Sequence, residues 1–123
     1  MKESQWYRAD KLPSLQRVHM FGTILNNELY LIGGLRVGAT YSKVLSTSVT
    51  DLISNAVPFN HKTDHGDLDI PPTNWRTLPD TPSNKSAVTS IGGLLITLGG
   101  EENTIHMYSP SIDSWVVCLS CGC

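Results

Sequence analysis

The sequence predicts an all-β chain: two similar four-stranded antiparallel units preceded by one extra strand. Three observations carry this. Between Trp75 and Trp115, two apolar runs, Ser86–Ile91 and Leu94–Leu98, flank Gly92-Gly93, a pair suited to a hairpin turn with positive φ at both positions. The pattern recurs at a constant offset of 66 residues: Met20–Leu25 and Glu28–Ile32 flank Asn26-Asn27, Gly33-Gly34 falls on Gly99-Gly100, and Leu12-Pro13 falls on Leu78-Pro79. Asn is the non-glycine residue that best tolerates the left-handed turn. The third observation is spacing. Trp75 and Trp115 stand 40 residues apart, the length of one propeller blade rather than of a domain.

Taken in order, Trp6–Pro13 aligns with Trp75–Pro79 after a few extra residues, so residues 1–13 are expected to supply an outer strand whose unit is otherwise absent. Residues 14–80 hold the first full unit, with strands at Val18–Leu25, Glu28–Gly34, Ser42–Thr50 and Trp75–Leu78. Its third and fourth strands are separated by residues 51–74, whose Asp, Asn, Pro, His and Gly content predicts a long surface loop. Residues 81–119 form the second unit, with a third strand at Thr104–Pro110 and the fourth around Trp115. Ser120–Cys123 reads as a frayed end.

A Trp, a Leu-Pro, a hairpin ending in Gly-Gly, a Tyr and another Trp resemble the Kelch repeat, the building unit of Kelch-type β-propellers. The residues that carry the likeness are Leu12, Pro13, Leu29, Tyr30, Ile32, Gly33, Gly34, Trp75, Leu78, Pro79, Leu95, Ile96, Gly99, Gly100, Tyr108 and Trp115. The first copy departs from the pattern, with no clear Tyr and Trp following Gly34. The resemblance implies a partial propeller of two four-stranded blades plus one outer strand, in which Trp6, Trp75 and Trp115 pack between blades. Propellers close with about four to eight blades. A four-stranded blade offers a face of roughly 300 Å², and leaving half of that apolar area wet forgoes ~4 kcal/mol. The chain is therefore expected to be a fragment of a larger propeller, a truncated product, or a chain that self-associates through exposed blade faces.

Composition limits the function classes. At 123 residues, 40% apolar and 16% charged, the chain is neither disordered nor strongly polar. A net charge of −2 supplies no basic field for nucleic acid and no polybasic lipid anchor. Met1–Gln5 is polar and shows no signal peptide, and no apolar run approaches the ~20 residues of a membrane helix. A cytoplasmic location is the default expectation.

The glycine pairs follow strands but precede neither a helix nor a Gly-Lys-Ser/Thr, so they read as strand-ending turns rather than phosphate loops. His61 and His65, with Asp64, have a spacing that a helix could present to a metal, but they sit among Pro, Gly and Asp, where a solvated loop is expected. Cys118, Cys121 and Cys123 fall one short of an all-cysteine zinc site, which His106 completes only if the fold brings it close. Three cysteines cannot all pair. No cofactor or metal is expected, and no nucleophile elbow or facing carboxylate pair is visible. Asn84-Lys85-Ser86 is a glycosylation sequon with no secretory signal to make it effective.

The resemblance also implies a docking mouth formed by loops after the glycine pair and before the first strand of each blade. On this chain those positions are Leu35, Arg36 and Val37, then Glu101, Glu102 and Asn103, with Arg17, Asn84 and Lys85. Arg17 and Arg36 are the expected anchors, because the guanidinium is a planar fork of donors. Arg17 matches an Arg that commonly precedes the first strand of a repeat, whereas its second-blade counterpart is Ser83. Three readings stay open. One is a non-enzymatic module binding a protein or peptide. A second is a truncated product without activity of its own. The third is part of a copper-oxidase-like propeller enzyme, which would need a Tyr/Cys/His grouping that Tyr30, Tyr41, Tyr108 and the histidines do not display.

Overall fold

The computed structural model describes residues 5–12, 20–36, 39–40, 43–60, 62, 69–82, 87–98 and 105–117. Within them lie two four-stranded antiparallel sheets, two short ribbons and one helix. The first sheet joins β2 (Phe21–Leu25), β3 (Glu28–Ile32), β6 (Val44–Ser48) and β8 (Arg76–Leu78) in that order. The second joins β9 (Ala87–Ile91), β10 (Leu94–Leu98), β11 (His106–Ser109) and β12 (Ser114–Val117). One ribbon pairs β1 (Tyr7–Arg8) with β7 (Val57–Pro58), and the other pairs β4 (Leu35–Arg36) with β5 (Ala39–Thr40).

The offset of 66 is preserved strand for strand. Phe21 pairs with Ile32 and Leu25 with Glu28; one repeat later Ala87 pairs with Leu98 and Ile91 with Leu94. The turns agree as well. Asn26 and Asn27 adopt φ of 50° and 60°, Gly92 and Gly93 of 58° and 81°. These are the left-handed conformations that a tight hairpin demands. Gly33 and Gly34 also have positive φ, while Gly99 and Gly100 lie outside the described residues.

Register extends the correspondence to the outer strands. Tyr108 pairs with Leu95 and Trp115, while Thr47 pairs with Leu29, the counterpart of Leu95. Thr47 thus holds the first sheet's place for the repeat tyrosine. Continuing the β6–β8 register by one residue sets Trp75 beside Thr47, whose hydroxyl donates to the Asn74 carbonyl at 2.8 Å. Both tryptophans are therefore in their repeat positions, and only the tyrosine is replaced.

Side chains along a strand alternate between faces, so one face of each sheet turns to the core. The first sheet buries Leu25, Tyr30, Ile32 and Val44; the second buries Leu95 and Tyr108, with Val88 and Trp115 packed against them. Fully burying each large apolar side chain contributes about 1.5–3 kcal/mol. One ring contact joins the layers, with Tyr30 meeting Tyr108 edge-on at 6.4 Å; within the second sheet Tyr108 lies 5.3 Å from its cross-strand partner Trp115. The Trp115 indole N–H donates to the Pro79 carbonyl at 2.9 Å, fastening the second sheet to the exit of the first. Along the first strands, Ser90 Oγ donates to the Ile24 carbonyl at 3.1 Å, joining two residues one repeat apart.

The buried faces are not equivalent. In β3, Tyr30 and Ile32 are buried; their counterparts in β10, Ile96 and Leu98, lie on the side away from the core. In β10 it is Leu95 and Thr97 that are buried, the counterparts of Leu29 and Leu31. The sheets stack front to back, each using the face the other leaves outward.

Several sequence expectations change in the structure. The third strand ends at Ser48 rather than Thr50, because helix α1 (Val49–Asn55) begins there. Ser48 caps it, accepting the Asp51 backbone N–H at 3.3 Å, and Val49 N–H returns to the Asn27 carbonyl. Residues 51–74 are accordingly not all loop, since they include most of α1 and β7. Within the expected outer strand at 1–13, the described strand is two residues long, Tyr7–Arg8, and pairs with β7, inside that insert. Phe59 N–H bonds the Trp6 carbonyl, and the Arg8 guanidinium lies 5.5 Å from the Phe59 ring centre. Trp6 itself is 76% exposed and packs between no sheets.

Candidate functional site

Antiparallel pairing brings several connections to one end of the first sheet. Gly33 and Gly34 leave β3 there, Lys43 enters β6, and Pro79–Thr81 leaves β8. The Gly33 N–H donates to the Lys43 carbonyl at 3.0 Å, closing the base of the β4–β5 ribbon. Leu35 and Arg36, expected in a loop, are instead the first strand of this ribbon, which holds the Arg36 backbone out beyond the sheet end.

Of the other expected partner-binding residues, Arg17, Val37, Asn84, Lys85, Glu101, Glu102 and Asn103 lie outside the described residues. At this end the fold adds a pair that the sequence reading missed. Lys43 Nζ and Asp80 Oδ1 are 3.2 Å apart, with both side chains about half exposed. A pair so exposed adds little stability, about 0–1 kcal/mol, but it places one charge of each sign beside the ribbon. The signal was positional: both residues flank strands at the glycine-pair end.

The far end of each sheet is built from turns. Asn27 Nδ2 donates to Thr50 Oγ1 at 2.8 Å, pinning α1 to the β2–β3 turn. Arg76 and Glu28 form a second surface ion pair at 3.1 Å. In the second sheet the Tyr108 hydroxyl donates to the Asp113 carboxylate across the β11–β12 turn, where Asp113 adopts a φ of 50°. Burial pushes the Tyr108 phenol well above its ordinary pKa, and the Asp113 hydrogen bond and charge push it further. The Tyr30 phenol is raised by burial and by the Glu28 charge, against a lowering by Arg76. Both phenols are thereby kept protonated, and the rings pack as neutral groups.

Among the described residues, no three His, Cys, Asp or Glu side chains gather where a metal ion could sit. His106 is buried on the inner face of the second sheet. His61, Asp64, His65, Cys118, Cys121 and Cys123 lie outside the described residues, as does Tyr41. No helix among the described residues is long and apolar enough to cross a membrane.

Among the described residues, the outward faces of both sheets are apolar. Ile91, Leu98 and Val116 are exposed on the outward face of the second sheet, with Leu94, Ile96 and Met107 between them. On the first sheet, Ile24 is exposed beside Leu29 and Leu31 on the outward side, whereas Leu45 and Thr47 of the same face are buried. Neither outward face carries a charged residue among the described positions. No protein-family model matches the chain, and no curated protein matches it either.

Proposed function

We propose that the two sheets are consecutive blades of a Kelch-type β-propeller and that the chain is a non-enzymatic protein-interaction module. In this reading, the connections at the glycine-pair end present side chains to a protein or peptide. One observation carries it above the rest: two meanders of the same plan, matched at an offset of 66, stack front to back. A two-layer sandwich of related halves can bury equivalent faces in both. A radial array cannot, because each blade must offer one face forward and the other behind. The Lys43–Asp80 pair, beside the base of the β4–β5 ribbon, supplies polar contacts of both signs for a peptide.

The test is site-specific photo-cross-linking in cells that express the chain. A photoreactive residue at position 36 or 80 is expected to give a discrete adduct with another protein. The same residue at position 51 or 111, in α1 or the β11–β12 turn, is expected to give none. Adducts that are absent at both ends, or equal at both, overturn the docking assignment.

A further inference from the structure

The outward faces have a relationship that single residues do not reveal. Ile91, Ile96 and Leu98 on the outward face of the second sheet are the counterparts of Leu25, Tyr30 and Ile32, which the first sheet buries. Leu29 and Leu31, on the outward side of the first sheet, are the counterparts of Leu95 and Thr97, which the second sheet buries. The molecule thus exposes a second version of each half of an interface it already makes internally. Both outward versions are uncharged and include large exposed side chains, Ile91 at 60% and Ile24 at 57%.

We infer that the outward face of the second sheet docks onto the outward face of the first sheet in another copy of this chain. The inference rests on the blade reading above. Contact follows β2 and β3, where Ile24, Leu29 and Leu31 are accessible, rather than β6, where Leu45 and Thr47 are already buried. Because the faces differ, the association is head to tail, and an open assembly of any length keeps one free face of each kind, at its two ends, until a ring closes. With two blades per copy and about four to eight blades per closed propeller, a ring holds roughly two to four copies.

Sedimentation velocity of the purified full chain over a range of concentrations tests this. The unmodified chain is expected to form a discrete oligomer. Ile91→Glu and Ile24→Glu each place a charge on the exposed edge strand of one apolar face and are expected to weaken association at least about tenfold. Far-UV circular dichroism confirms that these exposed-site variants remain folded. An equimolar mixture is decisive, because each variant retains the face that the other has lost. It should give a capped pair of one copy of each and nothing larger.

A chain that stays monomeric overturns the inference. So does an Ile24→Glu variant that self-associates as well as the unmodified chain, since that marks a symmetric contact of second-sheet faces. Internal stacking is tested separately with Thr23→Cys plus Ser90→Cys, whose hydroxyls lie 3.4 Å apart, after the native cysteines are changed to Ser. An intrachain disulfide in a monomeric chain overturns docking between copies and leaves the stacking intact. Failure of that disulfide to form removes the stacking, and both readings with it.

Discussion

In the first sheet Tyr30 and Ile32 are buried while Leu29 and Leu31 stay partly open; in the second, Leu95 and Thr97 are buried while Ile96 and Leu98 face outward. The four positions correspond pairwise, yet inside and outside are exchanged. The tryptophans show the same asymmetry. Trp115 donates its indole N–H to Pro79, whereas the Trp75 N–H is buried with no acceptor among the described residues. Trp115 looks across the interface inside the molecule, and Trp75 stands on the side that has no second sheet. A repeat position therefore does not determine burial by itself. What determines it is which neighbour the repeat has.

The sharpest way to break this comparison is to truncate equivalent leucines. Leu95→Ala empties a site fully enclosed between the sheets and is expected to cost about 2–5 kcal/mol. Leu29→Ala, at the equivalent but partly open position, should cost under ~1.5 kcal/mol. Urea unfolding followed by circular dichroism measures both. Equal losses would mean that the first sheet is covered on both sides, contrary to the front-to-back arrangement.

A middle-sized effect separates Tyr108 from Thr47. Tyr108→Phe removes the hydroxyl that binds Asp113 and is expected to cost about 1–2 kcal/mol at neutral pH. The same phenol gives a pH signature with a definite sign. Its folded pKa is raised, so the native state holds this proton more tightly than the unfolded chain, and the stability it supplies is complete below the unfolded value near ~10. Stability should then fall as the pH rises above that point. In Tyr108→Phe the fall should be visibly shallower, whereas Thr47→Val leaves it unchanged. Unfolding curves at a series of alkaline pH values decide the matter.

The smallest contrast concerns the two indoles. Trp115→Phe deletes a hydrogen bond and Trp75→Phe deletes an N–H without an acceptor, so the first should be the costlier by about 1 kcal/mol. Equal costs in thermal unfolding would show that Trp75 has an acceptor of its own.

Much of this architecture is legible in the amino-acid sequence. The offset of 66, the Asn26-Asn27 and Gly92-Gly93 turns and the strands they join needed only alternation and turn chemistry, both of which are local. The exchange of buried faces was not legible, because Leu29, Tyr30, Leu31 and Ile32 are all apolar and mark neither side as inward. Helix α1 was missed because Val49, Thr50 and Ile53 favour strands, although Ser48 followed by Asp51 carried a capping signal. The pairing of Tyr7–Arg8 with Val57–Pro58 depends on a contact some fifty residues away, which the likeness of Trp6–Pro13 to Trp75–Pro79 concealed. Of the candidate docking residues, Arg36 fell on a ribbon at the expected end, and Lys43 with Asp80 emerged only when strand ends were brought together.

The insert between β6 and β8 gives the two halves different folding histories. In the second sheet the last two strands are joined by residues 110–113; in the first the same step spans residues 49–75. Closing the longer loop costs ~2 kcal/mol more in chain entropy. Short-range pairings form sooner than distant ones, so β9 to β12 can assemble as a local meander and serve as a template. Arg76–Leu78 is therefore expected to join the first sheet late.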